Sequence, residues 1–160
     1  MKTEKQSGKY SVGVGGVVVC DGRILLVRKK TGPYSGIWSL PGGYIEYNEM
    51  IDQAIIREIK EETGVNAIAH EIILIRQKIL RDKGENSLYI VFRMSTRDLN
   101  PKADGIEIKE ARYFHRDDIV SLDPMLPLCR LAVKKIFNND GGFNRLEYPD
   151  LPEQDYMVYG

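Results

Sequence analysis

Residues 43–65 read GYIEYNEMIDQAIIREIKEETGV, and their closing stretch, REIKEETG at 57–64, opposes a simple electrostatic rule. Residues 49–63 are mostly good helix formers and stop at Gly64, a natural left-handed residue just past a helix end. Glu58, Glu61 and Glu62 therefore fall in the last turns, where the helix dipole repels carboxylates. With Glu58 set at zero on a wheel of about 100° per residue, Glu62 lies about 40° to one side and Glu61 about 60° to the other. The three acids share one face, with Ala54 one turn below and the stripe Ile51, Ile55, Ile59 beside it. A solvated acidic face is the ordinary fate of a charge run. Here like charges three and four apart cost a few tenths of a kcal/mol per pair, and Lys60 points away at about 200°. A divalent cation removes the conflict. Mg²⁺ is a hard ion that takes a few carboxylates and waters and leaves positions open for substrate phosphates.

Outward from the helix, elements alternate in type. SVGVGGVVV (11–19) reads as a buried strand, CDGR as an Asp-Gly turn, and Ile24–Val27 as the returning strand of a hairpin. A Gly/Pro loop (29–37) leads to the broken extended piece WSLPGG. After the helix, EIILIRQKIL and SLYIVFRM are β-rich runs around the polar turn RDKGEN, giving a second hairpin. ARYFH is a further strand, RDDI a short helical turn, and MLPLCRLAVKKIF a closing amphipathic helix stopped by NNDGG. One mixed α/β domain over 1–160, with helices packed on a mixed sheet, is the simplest architecture. The aromatic, proline-bearing tail 138–160 is expected to dock on the surface or on a partner, and would suit a homodimer.

Composition bounds the function. At 160 residues, 42% hydrophobic and 29% charged, the chain suits one globular domain. Lys plus Arg equals Asp plus Glu at 23 each, so no global charge draws it to nucleic acid or membrane. MKTEKQSGKY lacks the apolar core of a signal peptide, and VGVGGVVVC is too short to span a bilayer. A cytoplasmic location is the expectation, with Cys20 and Cys129 as buried thiols.

The frame around the glutamates is long: Gly43, five residues, Glu49, seven residues, then Arg57-Glu58-Ile59-Lys60-Glu61-Glu62-Thr63-Gly64-Val65. It resembles the Nudix hydrolase signature at every fixed position, with apolar Ile59 and Val65 in its two hydrophobic slots. ILLVRKK, GIWSLPGGYIE and a late EARYF extend the resemblance over about residues 11–137. The resemblance implies an α+β fold, an α/β/α sandwich around a mixed sheet. It also implies hydrolysis of a nucleoside diphosphate linked to another moiety, or of a nucleoside triphosphate, with Mg²⁺ or Mn²⁺. Carried onto this chain, Glu58, Glu61 and Glu62 are metal ligands, Gly43 turns the backbone and offers a carbonyl, and Arg57 with Glu49 braces the loop. One box glutamate, or a later one, acts as general base; Glu107 is preferred over Glu110. The helix start departs from the pattern: NEM (48–50) replaces Gly-Glu-Ser/Thr. Asn48 can adopt the left-handed conformation, whereas Met50 offers no capping hydroxyl.

Other features are weaker. VGVGG lacks the spacing and lysine of a phosphate loop and reads as room for close packing. Arg28, Lys29 and Lys30 could meet substrate phosphate or lie at an exposed strand end. Trp38 suits core packing, with base stacking as its functional alternative, and Tyr44 is a further substrate-side candidate. His70 and His115 lack a second ligand at metal spacing. Competing functions are a catalytically silent binding module, disfavoured by the intact box, and an isoprenoid diphosphate isomerase, for which Cys20 has no supporting motif. RNA 5′-end hydrolysis finds no basic footprint. The proline that often marks ADP-ribose enzymes past the box is absent, and no coenzyme A or NADH signature is present. Nucleoside triphosphates and nucleotide sugars are the substrate classes left level.

Overall fold

The computed structural model describes residues 8–138, 144–146 and 156–160. Strands β1 (Lys9–Cys20) and β2 (Arg23–Lys29) form the expected hairpin. Its two turn residues, Asp21 (φ 47°) and Gly22 (φ 70°), are both left-handed, as a turn matched to strand twist requires. On its other edge β1 runs parallel to β6 (Glu85–Ser95), from Lys9 opposite Glu85 to Val19 opposite Ser95. β6 returns antiparallel onto β5 (Ile68–Leu80), through a short 3₁₀ turn at Arg81–Lys83 closed by left-handed Gly84.

β2 also carries β3 (Trp38–Ser39) and β7 (Ile108–Phe114). The middle of β1 instead pairs with β4 (Gly42–Tyr44), Gly13 opposite Tyr44 and Gly15 opposite Gly42. β1 is thus shared by β2 at its end and β4 at its middle. That split brings the Gly42–Gly43 backbone beside helix α1 (Ile51–Thr63).

The alternation of β1 sorts its side chains onto two cores. Val14 and Val18 join Leu25, Ile55, Ile59 and Met94 under α1. Val17 joins Leu26, Leu74, Val91, Phe114 and the helices α2 (Arg116–Val120) and α3 (Pro127–Asn138) on the other face, through Ile119, Cys129 and Val133. The mixed sheet between helices is the expected sandwich. Gly16 explains part of the glycine run: a Cβ there would stand 2.6 Å from Met94 Sδ and 3.2 Å from Ile59 Cδ1. Its bare backbone lets α1 approach the sheet. Cys20 and Cys129 are free and buried, and among the described residues no helix is long and apolar enough to cross a membrane.

Several boundaries differ from the sequence reading: β5 starts at Ile68 and β7 at Ile108, each three residues before its expected run, and β7 stops at Phe114. α1 begins at Ile51 rather than 49, because left-handed Asn48 (φ 63°) and extended Met50 hold the chain out of helical geometry. α3 begins at Pro127, a residue suited to a first helical turn. The tail adds strands β8 (Arg145–Leu146) and β9 (Tyr156–Tyr159), and β9 pairs antiparallel with β5. The described part of the tail therefore extends this chain's own sheet; residues 139–143 and 147–155 lie outside the described set.

Candidate active site

α1 ends as its sequence requires. Gly64 (φ 71°) donates its N–H to the Lys60 carbonyl at 2.9 Å, a left-handed cap. At the other end Met50 gives no side-chain cap, and Gln53 Oε1 instead accepts the Met50 N–H at 3.1 Å. Three residues into the helix, Gln53 does the backward half of a capping box.

Arg57 is the hub of the acidic face. Its Nε and Nη2 bind the two oxygens of Glu49 at 2.8 and 3.0 Å, the bidentate geometry that favours arginine. Nη2 also donates to the Tyr44 carbonyl at 3.0 Å, and Glu49 Oε2 accepts the Glu46 N–H at 3.1 Å. One side chain thereby ties β4, the connecting loop and α1 together. Arg57 Nη1 reaches Glu58 Oε1 at 2.8 Å and Glu61 Oε2 at 3.0 Å.

Among the described residues Glu62 is the deepest acid, 4% exposed. Its Oε2 accepts the Gly42 N–H at 2.8 Å and its Oε1 meets Lys29 Nζ at 3.1 Å. Burial still pushes its carboxyl up to about 6, against the lowering effect of Lys29. Glu58 is likewise raised by burial, with Arg57 pulling the other way and Glu61 adding to the rise. Glu49 goes down because of its Arg57 hydrogen bonds, which hold the Arg57 guanidinium charged. Glu61 has a side chain 59% exposed at the rim. Gly43 gives way to Glu58: a Cβ there would stand 2.5 Å from Glu58 Oε1.

These residues suit a hard divalent ion by donor chemistry. They are carboxylate oxygens on one helix face, two of them raised by burial despite a cation partner, with a side-chain-free backbone against them. Among the described residues the carboxylates do not close into a preformed cage; Arg57 and Lys29 stand among them.

The remaining sequence candidates scatter. Arg28 donates Nε to the Gly36 carbonyl at 2.9 Å, lies 3.9 Å from Glu110 and stacks over Trp38 at 5.9 Å. Trp38 is packed into the core at 5% exposure, edge-on to Phe114 at 4.9 Å; base stacking would require it to leave that packing. The Tyr44 side chain is 66% exposed, on the strand whose carbonyl holds Arg57. Glu107 is exposed in the loop before β7, its carbonyl accepting the Lys30 N–H at 2.7 Å. That loop is pinned to the end of α1, where the Thr63 carbonyl accepts the Lys102 N–H at 2.7 Å.

Lys29 is the residue that sequence reasoning left undistinguished within RKK. Strand alternation holds the signal: Leu25 faces α1, and Lys29, four residues on, shares that side. Lys30 instead donates to the Gly105 carbonyl at 2.7 Å. Asp104 was also missed; its Oδ1 accepts the N–H groups of Ile106, Glu107 and Ile108 at 2.9, 3.1 and 2.8 Å, shaping the late loop.

Comparison with known proteins agrees with this geometry. The chain is 34% identical over 112 residues to an ADP-ribose pyrophosphatase of Methanocaldococcus jannaschii, a match covering 70% of this chain and 66% of that protein. It is 30% identical over 118 residues to Nudix hydrolase 2 of Arabidopsis thaliana, covering 72% of this chain and 42% of that one. The chain thus spans about two-fifths to two-thirds of the length of these relatives. A MutT NUDIX hydrolase structure from Burkholderia pseudomallei superposes with a TM-score of 0.66 at 29% identity, over 80% of this chain and 98% of that one. The NUDIX domain family model matches residues 9–131, a span that includes the hub arginine and its three acidic partners, Glu49, Glu58 and Glu61; the chain belongs to the NUDIX domain family.

Proposed function

We propose that this chain is a metal-dependent pyrophosphohydrolase that cleaves the phosphoanhydride of a nucleoside diphosphate linked to another group, or of a nucleoside triphosphate. The observation that carries the reading is geometric: Glu58 presses on Gly43, where a Cβ would stand 2.5 Å from its Oε1, and buried Glu62 accepts the adjacent Gly42 N–H at 2.8 Å, so two carboxylates converge on one side-chain-free stretch of backbone. Mg²⁺ or Mn²⁺ held by Glu58, Glu61, Glu62 and the Gly43 carbonyl would neutralise the diphosphate and activate water.

The protein's own part is positioning. Arg57 and Glu49 fix the loop against the helix, so that Gly43 and Glu58 keep their close approach. Lys29 holds Glu62 in one orientation and supplies positive charge where phosphate would arrive. Glu107, on the loop pinned to the end of α1, is the proposed general base. ADP-ribose stands beside nucleotide sugars and nucleoside triphosphates as a substrate, because the Methanocaldococcus relative bears that name.

A substrate panel with product identification tests this. The expected result is Mg²⁺-dependent release of a nucleoside monophosphate or of pyrophosphate from at least one of these classes. Glu61→Gln or Glu62→Gln should lower kcat/KM by roughly 100-fold, part of the several kcal/mol a Lewis-acid ion supplies. Near-normal turnover in both variants would remove the metal-ligand assignment, and no turnover of any phosphoanhydride by the wild type would remove the hydrolase reading.

A further inference from the structure

Tyr89 on β6 packs its half-buried ring against the core on the α3 side of the sheet, and packing leaves its hydroxyl unaccounted for. Its ring lies flat over two glycines of β1. A Cβ on Gly13 would stand 2.7 Å from Tyr89 Cδ2, and one on Gly15 would stand 2.5 Å from the hydroxyl. Arg76, directly opposite on β5, stacks on the same ring at 5.4 Å and donates Nη2 to Ser87 Oγ at 2.9 Å. The ring is thus fixed from its two neighbouring strands. Its hydroxyl, by contrast, makes no hydrogen bond among the described residues. It is not one of the buried polar atoms left without a partner, so it reaches open space where a ligand oxygen could meet it.

Its location says which ligand. The hydroxyl ends beside Gly15, whose strand partner Gly42 donates its N–H to Glu62. The Gly43 carbonyl oxygen lies 3.1 Å from the same missing Gly13 side chain that makes room for the ring. A phenol is protonated at neutral pH and donates, and beside an acidic metal-suited site the acceptor that fits is an anionic oxygen.

We propose that Tyr89 is a substrate-contacting residue whose hydroxyl donates a hydrogen bond to a non-bridging phosphoryl oxygen of the bound diphosphate, over a floor cleared by Gly13 and Gly15. The substrate chemistry rests on the hydrolase reading above; the hydroxyl's lack of a protein partner does not.

Tyr89→Phe tests it, since the ring stays and only the oxygen goes. Three quantities decide: the melting temperature, kcat/KM on the phosphoanhydride the wild type cleaves fastest, and calorimetric affinity for α,β-methylene-ADP with Mg²⁺. Melting should stay within about 1–2 °C, because no internal hydrogen bond is lost. Both kcat/KM and affinity should fall roughly 10-fold, the worth of one bond to a charged group. Kinetics and affinity within about twofold of wild type would overturn the assignment, whatever the melting temperature does. If the wild type binds the analogue but cleaves nothing, weakened binding in Tyr89→Phe upholds the contact while the hydrolase reading falls. If the wild type neither binds nor cleaves, both are overturned.

Discussion

At the scale of single residues, the site is built on close approach. Gly43 is needed for what stands against it rather than for an unusual backbone angle, since a Cβ would press on the Glu58 carboxyl. That obstacle is the end of a flexible side chain, so Gly43→Ala should fold. Its metal-free melting temperature should stay within a few degrees of the wild type, while the gain on adding Mg²⁺ is largely lost. For the wild type at about 100 times the metal Kd, that gain is about 2.7 kcal/mol, or roughly 5–10 °C. Equal Mg²⁺ shifts in the two proteins would show that Gly43 and Glu58 do not share an ion. Lys29 teaches a related lesson. Its neighbours Arg28 and Lys30 look the same in sequence, and only the direction set by strand alternation sends one of the three to Glu62.

At the scale of elements, α1 is well closed at its end and weakly begun. Gly64 caps it with a backbone hydrogen bond, whereas Met50 sits exposed at the N-cap and only Gln53 reaches back. Met50→Ser restores a hydroxyl acceptor where Met50 already has extended geometry. It should stabilise the protein by about 1 kcal/mol, raising the melting temperature by roughly 2–4 °C without changing kcat. No rise would mean that water already satisfies the first-turn N–H groups as well as a hydroxyl would. The tail is the element sequence periodicity could not place. β9 is four residues long and acquires its meaning from the free edge of β5, where Val158 enters the core at 1% exposure. Val158→Ala should cost about 2 kcal/mol from lost burial and the cavity left, lowering melting by roughly 4–8 °C. A change under about 1 °C would show that β9 is not docked on β5 in solution.

At the scale of the whole molecule, the fold is a mixed sheet between α1 and the α2–α3 pair, and the candidate site lies where that sheet divides. The hairpins, the helix, its left-handed stop and the shared face of three glutamates were all legible, because each follows from local periodicity or turn chemistry. So was the 43–65 frame, whose spacing already singles out Gly43, Glu49, Arg57 and the box acids. What local patterns could not supply was who meets whom across long sequence separations. Arg57 serving four partners, Lys29 reaching Glu62, and Tyr89 lying on Gly13 and Gly15 all depend on strand order and on β1 being shared between β2 and β4. The sequence by itself determined that three carboxylates share one helix face inside the 43–65 frame. Only the tertiary structure decided how far each acid is buried and which side chains look onto it, because burial and juxtaposition belong to packed layers and not to any single segment.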